Sequence, residues 1–308
     1  MKTAFVFPGQ GSQYVGMGGE ILELYPEGGA ILDTAQEVTG IPVRELMLSG
    51  PMEELTRTVN LQPALTAVDM LCCAALRQKG VEAQAVAGHS LGEYPALWAA
   101  GFVSTADVFR LVKARGELME QAAAANPGAM AAIIGLDRQA LQDLVDRVRA
   151  EASGGVLSLA NHNSREQIVV TGSKDLVAGL CRAVKEAGKR AVPLKVSGAY
   201  HSPLMKQAAE GFKKVLSDVE FKDGRIPLYS NVTAAPELSG ERVRQLMSEQ
   251  ICSPVRWYEI VNNMYGDGFR LFVELGPKKV LSGLIKKCLE ADDYTIRNVE
   301  DGAGLEQF

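Results

Sequence analysis

The sequence predicts a mixed α/β fold built on a mainly parallel sheet. Three observations point to it. Short apolar runs alternate with helical stretches along most of the chain, which implies parallel strands covered on both faces. Two of those runs, Thr3 to Phe7 and Val81 to Ala87, end in glycine-rich turns. Between residues 127 and 197 the rhythm changes to strand, helix, strand, strand, helix, strand, which marks a separate unit.

The chain has 308 residues, enough for one large domain carrying a smaller insert. Hydrophobic content of 47% and charged content of 22% are ordinary for a soluble globular protein. A net charge of −5 does not suggest a nucleic-acid surface. No apolar run reads as long enough to cross a bilayer, and the short apolar N-terminus reads as a strand, not a signal peptide. The five cysteines are an odd number without a CxxC pair, so they read as reduced, core-filling cysteines of a cytoplasmic protein.

Taken in order, Thr3 to Phe7 is a strand that ends at Pro8-Gly9-Gln10-Gly11-Ser12-Gln13. That loop lacks the lysine of a Walker A motif and the full dinucleotide-binding glycine pattern. It can instead aim backbone N–H groups at a neighbouring site. Glu20 to Val38 is helical with a break near Pro26. Met52 to Val59 reads as a short helix, and Pro63 fits the first turn of a long apolar helix that reaches Lys79.

Val81 to Ala87 is a strand leading into Gly88-His89-Ser90-Leu91-Gly92-Glu93-Tyr94, and an alanine-rich helix follows to Ala100. Strand, Gly-x-Ser-x-Gly, helix is the context that exposes a nucleophilic serine on a sharp turn. Gly88 would tolerate unusual backbone angles, and Gly92 would let helix and strand approach. Ser90 would then sit over free N–H groups at a helix start, where negative charge is favoured. Ser104 caps the next helix, Thr105 to Ala124.

Within the insert, Ala129 to Leu136, Val156 to Ala160, Gln167 to Thr171 and Ala191 to Val196 are strands. Asp137 to Glu151 and Lys174 to Ala187 are amphipathic helices. Asn161-His162-Asn163-Ser164 reads as a polar turn between the two middle strands. The order is that of a ferredoxin-like unit, bounded by Asn126-Pro127-Gly128 and Ser197-Gly198. The domain expectation is therefore a catalytic domain of residues 1–126 and 198–308, with residues 127–197 as its insert. Beyond it, Leu204 to Asp218, Gly240 to Gln250, Val255 to Met264 and Lys279 to Leu289 read as helices, and Pro227 to Asn231 and Phe269 to Glu274 as strands.

A serine needs a base to be a useful nucleophile. The chain holds three histidines, His89, His162 and His201. His89 adjoins Ser90 and should point away from it; His162 lies in the insert. His201, among small residues of the main domain, is the expected base. No Asp or Glu is singled out to orient it, and a backbone carbonyl can do that work. By position alone Arg115 reads as a solvated surface arginine.

Together, Gly9 to Gln13, Gly88 to Tyr94, Arg115, Tyr200-His201 and Gln250-Ile251-Cys252-Ser253-Pro254-Val255 resemble the malonyl-CoA:acyl carrier protein transacylases of fatty acid synthesis. The similarity runs from Phe7 to about Leu284. It implies an α/β-hydrolase-like core with the ferredoxin-like insert. It implies Ser90 as the acylated nucleophile, His201 as its base, and the Gln250 carbonyl as the support of the histidine. The N–H groups of Gln10 and Leu91 would form the oxyanion hole, Arg115 would pair with the malonyl carboxylate, and Asn161 would be a polar neighbour of the site. Tyr200 is bulky where related polyketide acyltransferases carry an aromatic for malonyl and a serine for methylmalonyl. Ser253 stands where a larger polar residue is frequent. The resemblance further implies malonyl-CoA and acyl carrier protein as partners, no cofactor or metal, and a cytoplasmic monomer that does not bind nucleic acid or membrane. Basic residues near the cleft between the subdomains, such as Lys189, Arg190 and Lys195, are candidates for meeting an acidic carrier. A serine hydrolase of similar core and a non-catalytic carrier-binding module are the alternatives.

Overall fold

A computed structural model describes residues 1–196 and 198–308; Ser197, the expected last residue of the insert, lies outside the described residues. Among the described residues, ten strands fall into two sheets. The larger contains β1 (Lys2–Phe7), β2 (Ala85–Gly88), β7 (Leu228–Tyr229), β8 (Pro236–Glu237), β9 (Phe269–Leu275) and β10 (Thr295–Val299). Its order is β10-β9-β1-β2-β7-β8, with every neighbouring pair parallel except β7 with β8. Side chains alternate across it as the pleat requires. Phe5, Phe7 and Val86 enter one core, whereas Ala4, Val6, Ala85 and Ala87 enter the other. Burial on both faces explains why β1 and β2 read as continuous apolar runs.

The helix Thr58–Gln78 packs on the first face and is mostly buried. It is long and apolar enough to cross a bilayer, yet 83% of its most apolar window is buried within the protein. It starts earlier than the proline suggested: Pro63 lies inside the helix, not in its first turn. The Arg57 carbonyl accepts from the N–H groups of both Asn60 and Leu61, so the first turn is closed before Pro63 is reached. A helix at Val43–Ser49 and the strands β8 and β10 had no counterpart in the sequence reading.

The smaller sheet is antiparallel, in the order β4-β5-β3-β6, from β3 (Ala129–Ile134), β4 (Leu157–Ser164), β5 (Gln167–Gly172) and β6 (Arg190–Pro193). Helices Arg138–Ala150 and Lys174–Glu186 cover one face, meeting Ala131, Ile133, Ile168 and Val170. Asp137 caps the first of them as its sequence position predicts, by accepting from the Ala140 N–H at 2.9 Å. The opposite face turns Met130, Ala132 and Val169 to the core of the larger sheet. The chain order βαββαβ is the one expected. The expected polar turn at Asn161–Ser164 is not a turn, however. Those residues continue β4, and only Arg165 and Glu166 connect it to β5. Asn161 and Asn163 are buried in β4, two residues apart. Their polarity serves the interior face of a strand, which is why it misled a reading based on hydrophobicity.

The topology positions the site. β1 and β2 are central neighbours, and Phe7 pairs with Gly88 at their carboxyl ends. The loop after each strand therefore emerges side by side with the other. In parallel sheets that is where ligands bind.

Candidate active site

The turn after β2 is forced by close packing. A Cβ on Gly88 would lie 2.0 Å from the Gly92 carbonyl, and one on Gly92 would lie 2.0 Å from the Phe7 carbonyl. A Cβ on Gly9 would lie 2.4 Å from the His89 carbonyl, so the loop after β1 is pressed against the turn. Gly88 is required for space and does not have a positive φ; Ser90 itself takes the strained backbone, with φ of 55°. Asn231, fully buried just after β7, holds this geometry. Its Oδ1 accepts from the Ser90 N–H at 2.8 Å, and its Nδ2 donates to the Gly88 carbonyl at 2.6 Å. Ser90 opens a 3₁₀ turn that runs into the helix Glu93–Ala100. Among the described residues, the Gln10 and Leu91 N–H groups make no hydrogen bond within the chain.

His201 meets Ser90 across this turn, with Nε2 2.7 Å from the Ser90 Oγ. Its Nδ1 lies 3.1 Å from the Gln250 carbonyl and 3.0 Å from the Ser253 carbonyl. Two carbonyls can only accept, so Nδ1 carries the proton and Nε2 is left as an acceptor facing the hydroxyl. Burial, with the nearby Arg115 cation, pushes the His201 pKa down to about 3. The imidazole is therefore neutral. His201 also has a positive φ, 58°.

Arg115 is not the surface residue its helical position suggested. It is 2% exposed, and burial lowers its pKa. The helix Thr105–Ala125 carries it under the turn, where Nη2 donates to the Ser90 Oγ at 3.1 Å and to Gln250 Oε1 at 3.2 Å. Its Nε has no hydrogen-bond partner among the described residues, and its guanidinium lies 5.4 Å from the centre of the Tyr94 ring. Gln250 thus serves the site twice, through its carbonyl on His201 and its amide on Arg115.

A cavity of about 220 Å³ opens onto these groups. Gln10, Ser90, Leu91, Arg115, Asn161 and His201 all line it. So do Met119, Met130, Val169 and Tyr200, which give it an apolar wall. The Tyr200 hydroxyl meets Thr58 Oγ1 at 3.2 Å. His89 points away from Ser90, as expected of sequence neighbours, and its Nε2 meets Asn163 Oδ1 at 2.7 Å. His162 sits apart, 3.1 Å from Glu259. Lys189, Arg190 and Lys195 are exposed; Lys195 stands between Leu194 and Val196, which line the cavity, whereas Arg190 pairs with Ile134 at the other end of β6. No group of three or more potential metal ligands occurs among the described residues.

A family model describing the acyl transferase domain matches residues 4–301. The chain belongs to the acyl transferase family. It is 44% identical over 287 residues to a malonyl CoA-acyl carrier protein transacylase of Bacillus subtilis, covering 93% of this chain and 90% of the relative. The Escherichia coli K12 protein of the same name is 40% identical over 291 residues, covering 94% and 93%. A crystal structure of an acyl carrier protein S-malonyltransferase from Vibrio cholerae superposes with a TM-score of 0.94 at 40% identity, over 100% of this chain and 99% of that one. A malonyl-transacylase in complex with a type II polyketide acyl-carrier protein gives 0.95 at 37% identity, over 100% and 98%.

The geometry brings Gln10, Ser90, Leu91, Arg115, Asn161, His201 and Gln250 together, and leaves Lys189 and Arg190 away from them. Sequence reasoning did not find Asn231, which lies in a turn just after the short strand β7, with no local signal. It also passed over Glu93, although that residue stands within the nucleophile motif, and Asn163, which was hidden in the supposed turn.

Proposed function

We propose that this acyltransferase moves a malonyl group from malonyl-CoA to the phosphopantetheine thiol of an acyl carrier protein. The observation that carries the reading is the surroundings of one atom: Ser90 Oγ lies 2.7 Å from a neutral histidine nitrogen and 3.1 Å from a buried guanidinium. The first makes the oxygen a nucleophile. The second provides a cation within reach of a carboxylate a few bonds beyond the acyl carbon.

His201 Nε2 takes the Ser90 proton as Oγ attacks the thioester carbon. The oxyanion is received by the N–H groups of Gln10 and Leu91, which have no other acceptor among the described residues. The C–S bond breaks, the CoA thiolate takes the proton from His201, and a malonyl ester remains on Ser90. The carrier thiol then gives its proton to His201 and attacks the ester, and Ser90 recovers a proton as it leaves. This is ping-pong covalent catalysis. Arg115 binds the malonyl carboxylate as a fork that lysine cannot copy. Asn161 lines the cavity and is assigned as a polar contact for the acyl group.

The reading has residues 1–126 and 198–308 as the catalytic domain and residues 127–197 as an insert whose inner face walls the cavity. It takes the protein as a cytoplasmic monomer of fatty acid synthesis that uses no cofactor, and the exposed Lys189, Arg190 and Lys195 as contacts for the carrier. Incubation with radioactive malonyl-CoA should label wild type and leave Ser90→Ala unlabelled, and holo carrier protein should remove the label. Release of free malonate in preference to transfer would identify a hydrolase. Absence of label on the wild type would identify a binding module.

A further inference from the structure

Glu93 is a fully buried carboxylate that the mechanism does not use. It stands directly behind the nucleophile turn. Its Oε1 accepts from the Asn231 N–H at 2.8 Å, and its Oε2 accepts from Gln250 Nε2 at 2.7 Å. The same Nε2 donates to the Ser90 carbonyl at 2.8 Å, while Gln250 Oε1 accepts from Arg115 Nη2. Arg115 can only donate, and an ionised carboxylate can only accept. The carboxamide between them therefore has one allowed orientation, with nitrogen toward Glu93 and oxygen toward Arg115.

We propose that Glu93 is a positioning residue for acyl selectivity, acting through the Gln250 carboxamide to aim Arg115 at the acyl carboxylate. Burial pushes the Glu93 pKa up to about 7, so above that pH its negative charge faces Arg115 across one amide and offsets the buried cation without occupying the nitrogens that a substrate needs. A direct Arg–Glu ion pair would consume those donors. This inference rests on the proposed pairing of Arg115 with the malonyl group.

Glu93→Gln keeps the shape but must set an amide nitrogen against a donor, either the Asn231 N–H or Gln250 Nε2. In the second case the Gln250 amide turns over and presents its nitrogen to Arg115. Acylation of Ser90 by malonyl-CoA and by acetyl-CoA should be measured in wild type, Glu93→Gln, Arg115→Ala and the double variant, with thermal melts alongside. Malonyl kcat/KM should fall roughly 10- to 100-fold in Glu93→Gln, the loss of about one charge-assisted hydrogen bond, with acetyl kcat/KM changed less than about threefold. In the Arg115→Ala background the same change should cost malonyl less than about threefold, because the relay has nothing left to aim. Equal loss for both acyl groups, or the same malonyl loss in both backgrounds, overturns the relay. If Arg115→Ala alone leaves the malonyl-to-acetyl ratio unchanged, the malonyl reading falls and the relay with it. Should Glu93→Gln fail to fold, Glu93→Asp withdraws the carboxylate by one methylene. The ratio should drop there too, and an unchanged ratio in a folded Asp variant overturns the proposal.

Discussion

Replacing Arg115 with alanine tests the chemistry most directly. The guanidinium is 2% exposed, and it donates to the Ser90 hydroxyl and the Gln250 amide. No carboxylate pairs with it directly, so a malonyl carboxylate would be its first charged partner. Removing one member of a buried pair costs about 3–5 kcal/mol, because the other charge is left unpaired. This cavity is open to solvent on one side, so water can recover part of that loss, and about 2–4 kcal/mol remains. That is roughly 30- to 1000-fold in malonyl kcat/KM, at about 1.4 kcal/mol per tenfold. Acetyl-CoA has no carboxylate to lose. Its acylation rate should stay within about threefold of wild type or rise, since an unpaired buried cation has been removed. Rapid-quench labelling of Ser90 with each radioactive thioester reads both numbers. Arg115→Lys should recover only part of the malonyl rate, because an ammonium lacks the planar fork. A loss of the same factor for both acyl groups would refute the clamp and leave Arg115 as a support for the nucleophile turn.

Two further outcomes follow from the geometry around Ser90. His201 titrates near 6.5 when unfolded but at about 3 when folded, so below pH 6.5 the unfolded chain binds the extra proton and folded stability falls with pH. The urea-measured stability of wild type relative to His201→Gln should therefore drop by about 2 kcal/mol between pH 6.5 and 5; a pH-independent difference would contradict the neutral, buried imidazole. Asn231→Ala strands the Ser90 N–H and the Gly88 carbonyl. It should cost about 2–4 kcal/mol of stability and most of the acylation rate. A variant with unchanged melting and labelling would show that the turn holds itself.

How much of this was legible in the sequence depends on the range of each signal. The nucleophile turn is local: a strand, two glycines four residues apart and a helix start determine one another within one stretch. The caps at Ser104 and Asp137 are local too, and both accept from a backbone N–H of the first turn as their positions predict. The buried state of Arg115 is not local. It depends on Gln250, distant in sequence, and on the Tyr94 ring. Only the family resemblance brought it into the site. β4 shows the opposite failure, a local signal with the wrong meaning. Its asparagines are polar because they line the cavity and meet His89, not because the chain turns there. Strands as short as β7 and β8, two residues each, carry too little pattern to define their own limits.

The support of His201 by two carbonyls in place of a carboxylate bears on what the protein avoids. Neutral dipoles orient the ring, but they stabilise a passing imidazolium less than an anion would. Thiolates leave readily, since a free thiol ionises near pH 8.5, so exchange between two thioesters asks little of the acid that protonates the leaving group. Water is a far weaker acid than a thiol and would need a stronger base to become a nucleophile. A base of modest strength therefore separates the two acceptors by their own acidity. In the proposed mechanism, the acyl-serine would then wait for its carrier without being drained by the solvent around it.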